Sequence, residues 1–413
     1  MRRLLRKHGR IFAILIAGVL LYNLIAHEVV QIKVNLGVVE KQRQGGMLDE
    51  AFDTRPRLLS LKSAGNTSEI VKEKTYKQFS ATKIHDDGVR KVIIVAYYRG
   101  GSSLTGGLFN WNKKSMYYFE PLHYLYQSAV LRGLPLNYYN GTQVMAPSRS
   151  HELPYVYQIL TGLLSCDFNH VDIGSLTGGM GPMSGELIAK IRACQTGHHQ
   201  DIKYLREVCL KNLREGCLKR EIRVVKEIRL PMESTQALLK SFPSLKLIHV
   251  LRDSRGLICS QSGSCKMKPD RILQTCARLS LDIKWRQKLQ NKFPDRIMML
   301  RYEDLAVNPI PTAKAVYKFL NLTLPLEVGR SLYNATRKGH DQMGMLSIVR
   351  PDSIATALKW RRKIPWETLL AVQKYCREPL LSGNYPFYSK EKHLREEKLS
   401  KRRDRKVDKK YAV

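Results

Sequence analysis

The segment Lys91-Val-Ile-Ile-Val-Ala-Tyr-Tyr-Arg-Gly-Gly-Ser-Ser-Leu-Thr-Gly106 constrains the fold more than any other stretch of the chain. It reads as an apolar strand, then a glycine- and serine-rich turn, then the opening of a helix. That order directs backbone N–H groups and the positive end of a helix dipole toward an anion. Gly100 and Gly101 remove side chains where a phosphate or sulfate approaches, and Ser102, Ser103 and Thr105 add hydroxyl donors. The lysine and spacing of G-x-x-x-x-G-K-[ST] are absent, which argues against a loop that hydrolyses ATP or GTP. Arg99, at the start of the turn, is its only cation.

A second segment of this kind follows later. Leu245-Lys-Leu-Ile-His-Val-Leu251 is a buried-strand run that leads directly into Arg252-Asp-Ser-Arg-Gly-Leu-Ile-Cys-Ser260. Two arginines at the carboxyl end of a strand lie where open parallel sheets bind ligands. A guanidinium suits phosphate because its planar fork donates two parallel hydrogen bonds. Either segment alone is as readily an ordinary strand-to-helix corner. Together, in this order, they shift the balance toward anion binding.

Between and around them the pattern alternates. Val92–Tyr97, Tyr117–Phe119, Arg223–Val225, Leu245–Leu251 and Ile297–Arg301 are strand-like, and Tyr155–Leu164, Glu233–Lys240 and Arg271–Asn291 are helical. In the last, Ile272, Cys276, Leu279 and Ile283 recur at helical spacing on one face. Pro243 closes the preceding helix before the next strand. The alternation predicts an α/β fold with a central parallel sheet and helices on both faces.

These motifs resemble the Golgi carbohydrate sulfotransferases of the galactose/N-acetylglucosamine/N-acetylgalactosamine 6-O group. The family's 5′-phosphosulfate loop, Arg-Ser/Thr-Gly-Ser-Ser-Phe, is matched by Arg99-Gly-Gly-Ser-Ser-Leu104. Its 3′-phosphate loop, Val-Arg-Asp-Pro-Arg-Ala/Gly and a later serine, is matched by Leu251-Arg-Asp-Ser-Arg-Gly256 and Ser260. Tyr118-Phe-Glu-Pro-Leu122, Val225-Lys-Glu-Ile-Arg229, Arg301-Tyr-Glu-Asp-Leu305 and Lys359-Trp-Arg361 match in family order. Gly100, Leu104 and Ser254 depart from the pattern.

The resemblance implies the P-loop-like sulfotransferase fold and 3′-phosphoadenylyl sulfate as donor, with no metal. It implies that Arg99, Gly100, Gly101, Ser102, Ser103, Leu104 and Thr105 hold the 5′-phosphosulfate. Arg252, Asp253, Ser254, Arg255 and Ser260 then lie at the 3′-phosphate, and Trp360 and Arg361 contact the adenine or that phosphate. Sulfuryl transfer needs an in-line hydroxyl, a base for its proton and positive charge at the leaving phosphate. Arg99 is the expected charge, Lys226 reaches the sulfonate, and Glu120 is the expected base, with His123 as the alternative. A Glu120 outside this context reads as an ordinary surface or paired carboxylate. Glu303 and Asp304 read as capping or ion-pairing groups. A kinase is disfavoured by the missing loop lysine, and a non-catalytic glycan-binding protein by two matched donor loops. N-acetylglucosamine, galactose and N-acetylgalactosamine all stay open as acceptors, and a homo-oligomer stays open too.

The amino-terminal residues speak to location. Five basic residues within 1–10 precede a 16-residue apolar run, residues 11–26. The run is slightly short of the ~20 residues of a usual span, and no A-x-A-like cleavage site follows it. An uncleaved signal anchor with a cytosolic tail, type II in the Golgi membrane, is expected from the basic flank and the resemblance. Residues 27–88 then form a lumenal stem, 89–390 the sulfotransferase domain and 391–413 a basic tail. Sequons stand at Asn66, Asn140, Asn321 and Asn334. The 8 cysteines suit an oxidising lumen, and Cys166, Cys194, Cys209 and Cys217 are expected to pair among themselves. A net charge of +34 ordinarily suggests nucleic acid. Lumenal placement excludes that partner and leaves an anionic glycan or glycosaminoglycan.

Overall fold

The computed structural model describes residues 86–148, 151–178, 184–198, 201–337 and 352–396. The apolar run 11–26, the sequon at Asn66 and the basic run 398–410 lie outside them. Among the described residues no helix is long and apolar enough to cross a membrane.

Five strands form one parallel sheet: β1 (Arg90–Val95), β2 (Ser115–Phe119), β5 (Ile222–Glu227), β6 (Leu245–Leu251) and β7 (Ile297–Arg301), in the order β2-β5-β1-β6-β7. A short antiparallel hairpin, β3 (Leu136–Asn137) with β4 (Gln143–Val144), stands apart from it. The near-continuous apolar runs are explained by burial on both sides. In β1, Ile93 and Val95 pack into one core with Leu160, Leu163 and Leu239, whereas Val92 and Ile94 pack into another with Leu108, Leu305 and Val316. Successive side chains of a strand point to opposite faces, so one strand supplies both cores. The expected α/β architecture is present.

Helix α1 (Ser102–Asn110) follows β1, and α2 (Leu153–Ser165) lies in the long insertion before β5. Helix α3 (Ser254–Ser262) follows β6. Helix α4 (Pro269–Lys292) buries Ile272, Cys276, Leu279 and Ile283, the face read from the sequence, against Tyr97, Leu257 and Val372. Its start is set by Pro269 in the first turn, where the missing N–H costs nothing. Residues 391–396 do not behave as a tail. They form helix α5 (Glu391–Glu396), whose Leu394 packs with Trp360 and Ile364 while Arg395 donates to the carbonyl of Ile364. The packed body therefore reaches residue 396.

Four disulfides join Cys166 to Cys217, Cys194 to Cys209, Cys259 to Cys265 and Cys276 to Cys376. The first two pair the four insertion cysteines among themselves, as expected. At the amino edge of the sheet, the buried ammonium of Lys91 lies 2.6 Å from both Asp86 and Asp87. Asp87 also takes Arg223 at 2.6 Å, and Asp86 accepts the Ser244 N–H at 2.8 Å. Two residues assigned by sequence to the stem thus neutralise two buried cations of the core.

Candidate active site

The two anion loops leave neighbouring strands, β1 and β6, at their carboxyl ends. In the first loop the Gly100 N–H donates to the Tyr97 carbonyl at 2.8 Å. Gly101, at φ 91°, caps α1; a β-carbon there would meet the Tyr302 ring at 2.1 Å. Arg99 also adopts a positive φ, 61°. Such a conformation costs a non-glycine residue on the order of 1 kcal/mol or more and persists where surrounding contacts fix it.

Those contacts come from the second loop. Arg99 Nε donates to Ser260 Oγ at 3.2 Å, and the Arg99 carbonyl accepts from Arg252 Nη1 at 2.6 Å. The Tyr98 carbonyl accepts from Gln261 Nε2 at 2.9 Å. Beneath them, the Tyr97 hydroxyl donates to Asp282 at 3.1 Å and lies 2.8 Å from His249 Nε2. The residues assigned separately to 5′ and 3′ ends thus form one interlocked unit.

Asp253 caps α3 by accepting the Arg255 N–H at 3.0 Å, and its own N–H is taken by Glu303 at 3.1 Å. The Arg252 guanidinium lies over Tyr302, 4.8 Å from the ring centroid. Its Nε, Ser254 Oγ and Trp360 Nε1 are buried with no hydrogen-bond partner among the described residues. Gly256 sits among these groups: a β-carbon on it would lie 2.8 Å from Trp360 Cδ1 and 3.4 Å from Arg252 Nε. Buried polar atoms without partners are costly, and an anion that accepts from these donors would remove the cost.

Several other expected donor residues have protein contacts of their own. Leu104 is buried in the core, and the Thr105 hydroxyl turns back to the Gly101 carbonyl at 3.3 Å. Ser102 and Ser103 occupy the first turn of α1. Arg255 binds Asp253 through two nitrogens, at 2.8 and 2.7 Å, and the Pro386 carbonyl at 2.7 Å. Its guanidinium is stacked between Trp360 and Tyr388. Arg361 donates to the Tyr388 hydroxyl. Asp253, Arg255 and Arg361 therefore lock the carboxyl-terminal segment onto α3.

One strand further over, the ends of β2 and β5 carry a charge cluster. Phe119 pairs with Lys226, and Glu120, at φ 50°, follows it while donating its N–H to the Lys226 carbonyl at 2.8 Å. Its carboxylate binds the Lys226 ammonium and, at 2.7 Å, Arg229 Nη1. Lys226 also lies 3.6 Å from the Phe119 ring centroid. Burial raises the proton affinity of Glu120, but the two cations outweigh it and bring its pKa down to about 2. Glu227 is wholly buried. Its Oε1 accepts the Leu122 N–H at 2.6 Å, its Oε2 has no partner among the described residues, and its carbonyl accepts the Ala96 N–H at 2.9 Å. Burial pushes it up to about 7, with Arg229 opposing and Glu120 reinforcing the rise. Burial, with Arg229 beside it, holds His123 at about 4, neutral at neutral pH.

Sequence reading missed Arg229 and Glu227, although both stand in the quoted Val225-Lys-Glu-Ile-Arg229 motif. Adjacent charges at the end of an apolar strand were the available signal. The sequons also separate. Asn140, at the hairpin tip, and Asn321 are exposed, whereas Asn334 is half-buried and Thr336, the third sequon residue, bonds the Leu332 carbonyl at 2.9 Å.

The model of the sulfotransferase family matches residues 195–325, which include β5, β6 and the second loop. Carbohydrate sulfotransferase 1 of Homo sapiens is 26% identical over 395 residues, covering 85% of this chain and 90% of that protein. The protein of the same name from Rattus norvegicus is 26% identical over 352 residues, 75% of this chain and 82% of its own. Carbohydrate sulfotransferase 3 of Tetronarce californica is 25% identical over 329 residues, 71% of this chain and 72% of its own.

Proposed function

The chain belongs to the carbohydrate sulfotransferase family, and from that premise we propose that it transfers sulfuryl from 3′-phosphoadenylyl sulfate to the 6-hydroxyl of a sugar in an anionic glycan. The observation that carries this reading is the interlock of Arg99, Arg252 and Ser260, which makes one ligand cradle of two loops. The unpartnered Arg252 Nε and Ser254 Oγ fit the donor's 3′-phosphate. We assign the chain to the Golgi membrane in type II orientation, with residues 11–26 as anchor, 27–85 as stem and 86–396 as the catalytic body.

The donor supplies an activated sulfuryl group on a phosphate leaving group. Arg99 stabilises the charge that develops at that phosphate; removing a comparable preorganised donor costs ~2.7–4 kcal/mol. Lys226 exchanges its bond to Glu120 for the sulfuryl oxygens, which frees Glu120 from one of its two cations. Its proton affinity then rises, and it takes the proton of the acceptor hydroxyl. The bond from that oxygen to sulfur forms as the sulfur–phosphate oxygen bond breaks, and 3′,5′-ADP leaves. Glu120 is thus a base only in the donor complex.

The test is incubation of the full chain with radiolabelled donor and a panel of desulfated keratan, chondroitin and N-acetylglucosamine-terminated glycans. Label on the 6-position of one acceptor is the expected result. Donor binding without transfer to any glycan overturns the reading.

A further inference from the structure

Glu227 has no role in the mechanism above, yet it is a wholly buried carboxyl among charges. Its backbone ties the end of β5 to the first anion loop through Ala96, and its Oε1 holds the turn after Glu120 through Leu122. Among the described residues, the charges acting on it are Glu120, which follows β2, and Lys226 and Arg229, which flank it in sequence. It acts in turn on the Tyr117 and Tyr126 phenols, and His123 lies beside Glu120 and Arg229. With Glu227 ionised, two carboxylates face two cations. With Glu227 protonated, the cluster carries one net positive charge.

We propose that Glu227 is a positioning residue whose proton sets how firmly the cluster retains Lys226, and with it the affinity of the site for an anionic donor. Protonated, it leaves Glu120 alone to hold both cations, and Lys226 is released to the sulfuryl oxygens. Ionised, it adds a second carboxylate next to Lys226 and neutralises the cluster, so the ammonium stays. The unpartnered Oε2 is the atom at which the proton is gained and lost. This inference rests on the sulfuryl-transfer reading above.

The experiment measures kcat/KM for the donor from pH 6 to pH 8 on the full chain. A group titrating at about 7 falls from mostly protonated to mostly ionised over that range, so wild type loses about tenfold. Glu227→Gln keeps an acceptor for the Leu122 N–H but cannot ionise, and the ratio between the two pH values falls to about one. Binding of 3′,5′-ADP reports that the variant is folded. Because Arg229 holds the Glu227 pKa down, Arg229→Gln moves the alkaline fall to higher pH, which decides the matter if the glutamine variant does not fold. A Glu227→Gln profile parallel to wild type, or a fall that Arg229→Gln leaves in place, overturns the assignment to Glu227 while transfer itself stands. Absence of transfer by wild type at every pH overturns both.

Discussion

Glu120→Gln separates the electrostatic work of this carboxylate from its chemical work. The side chain is 5% exposed and binds an ammonium with no exposure and a guanidinium with 8%. Replacing it by a neutral amide removes the carboxylate that contacts both buried cations, and breaking a buried pair in this way typically costs about 3–5 kcal/mol. The titration points the same way: Glu120 falls from 4.5 to about 2, which favours the fold wherever the carboxylate is ionised, while burial lowers Lys226 and offsets part of that gain. The sign follows from the depressed value: this stability is present above pH 4.5 and is lost as pH falls toward 2. Urea denaturation at pH 7 should therefore show the variant weaker by about 3 kcal/mol, with the gap closing at acid pH. Turnover per molecule that still binds 3′,5′-ADP should fall ~10²–10⁴-fold, as for loss of a general base. A variant within about 0.5 kcal/mol of wild type at pH 7 refutes the ion-pair argument, since unpaired buried charge cannot be that cheap. Normal turnover per donor-binding molecule refutes the base and redirects the search to His123.

Arg252→Ala and Ser260→Ala should each weaken 3′,5′-ADP binding by roughly 1.5–3 kcal/mol, the worth of a charged hydrogen bond, as read by calorimetry. Replacing Cys276 and Cys376 by alanine opens a link spanning 100 residues, and chain entropy puts the loss at about 4–5 kcal/mol in thermal or urea unfolding. Asn140→Gln and Asn321→Gln should each increase gel mobility by one glycan, whereas Asn334→Gln should leave mobility unchanged because Thr336, the third residue of that sequon, is buried.

The sheet was legible because parallel strands covered on both faces read as apolar runs, and all five strands match their sequence limits within two residues. The anion loops were legible for a local reason: strand, turn and helix opening are contiguous in the chain. What escaped depends on distance along it. Glu120 meets Lys226 and Arg229 across 106 and 109 residues, because β2 pairs with β5 rather than with β1, and no periodicity encodes strand order. The same holds for Arg99 and Ser260, 161 residues apart. The contacts of Arg255 with Asp253 and Pro386 were not legible either, because sequence gives residue type without direction. Residues 391–396 were charged enough to resemble a solvated tail, and a single apolar anchor, Leu394, secures them.

The pairing of Asp86 and Asp87 with Lys91 and Arg223 has a mechanical meaning. These aspartates stand where the chain enters the amino edge of the sheet, directly before β1, the middle strand. Tension arriving from residues 1–85 meets a fully buried ammonium first and then runs lengthwise along β1. There it loads the hydrogen bonds to β5 and β6 in shear, all together, instead of peeling them one by one. The loops lie at the opposite, carboxyl end of β1, beyond that ladder.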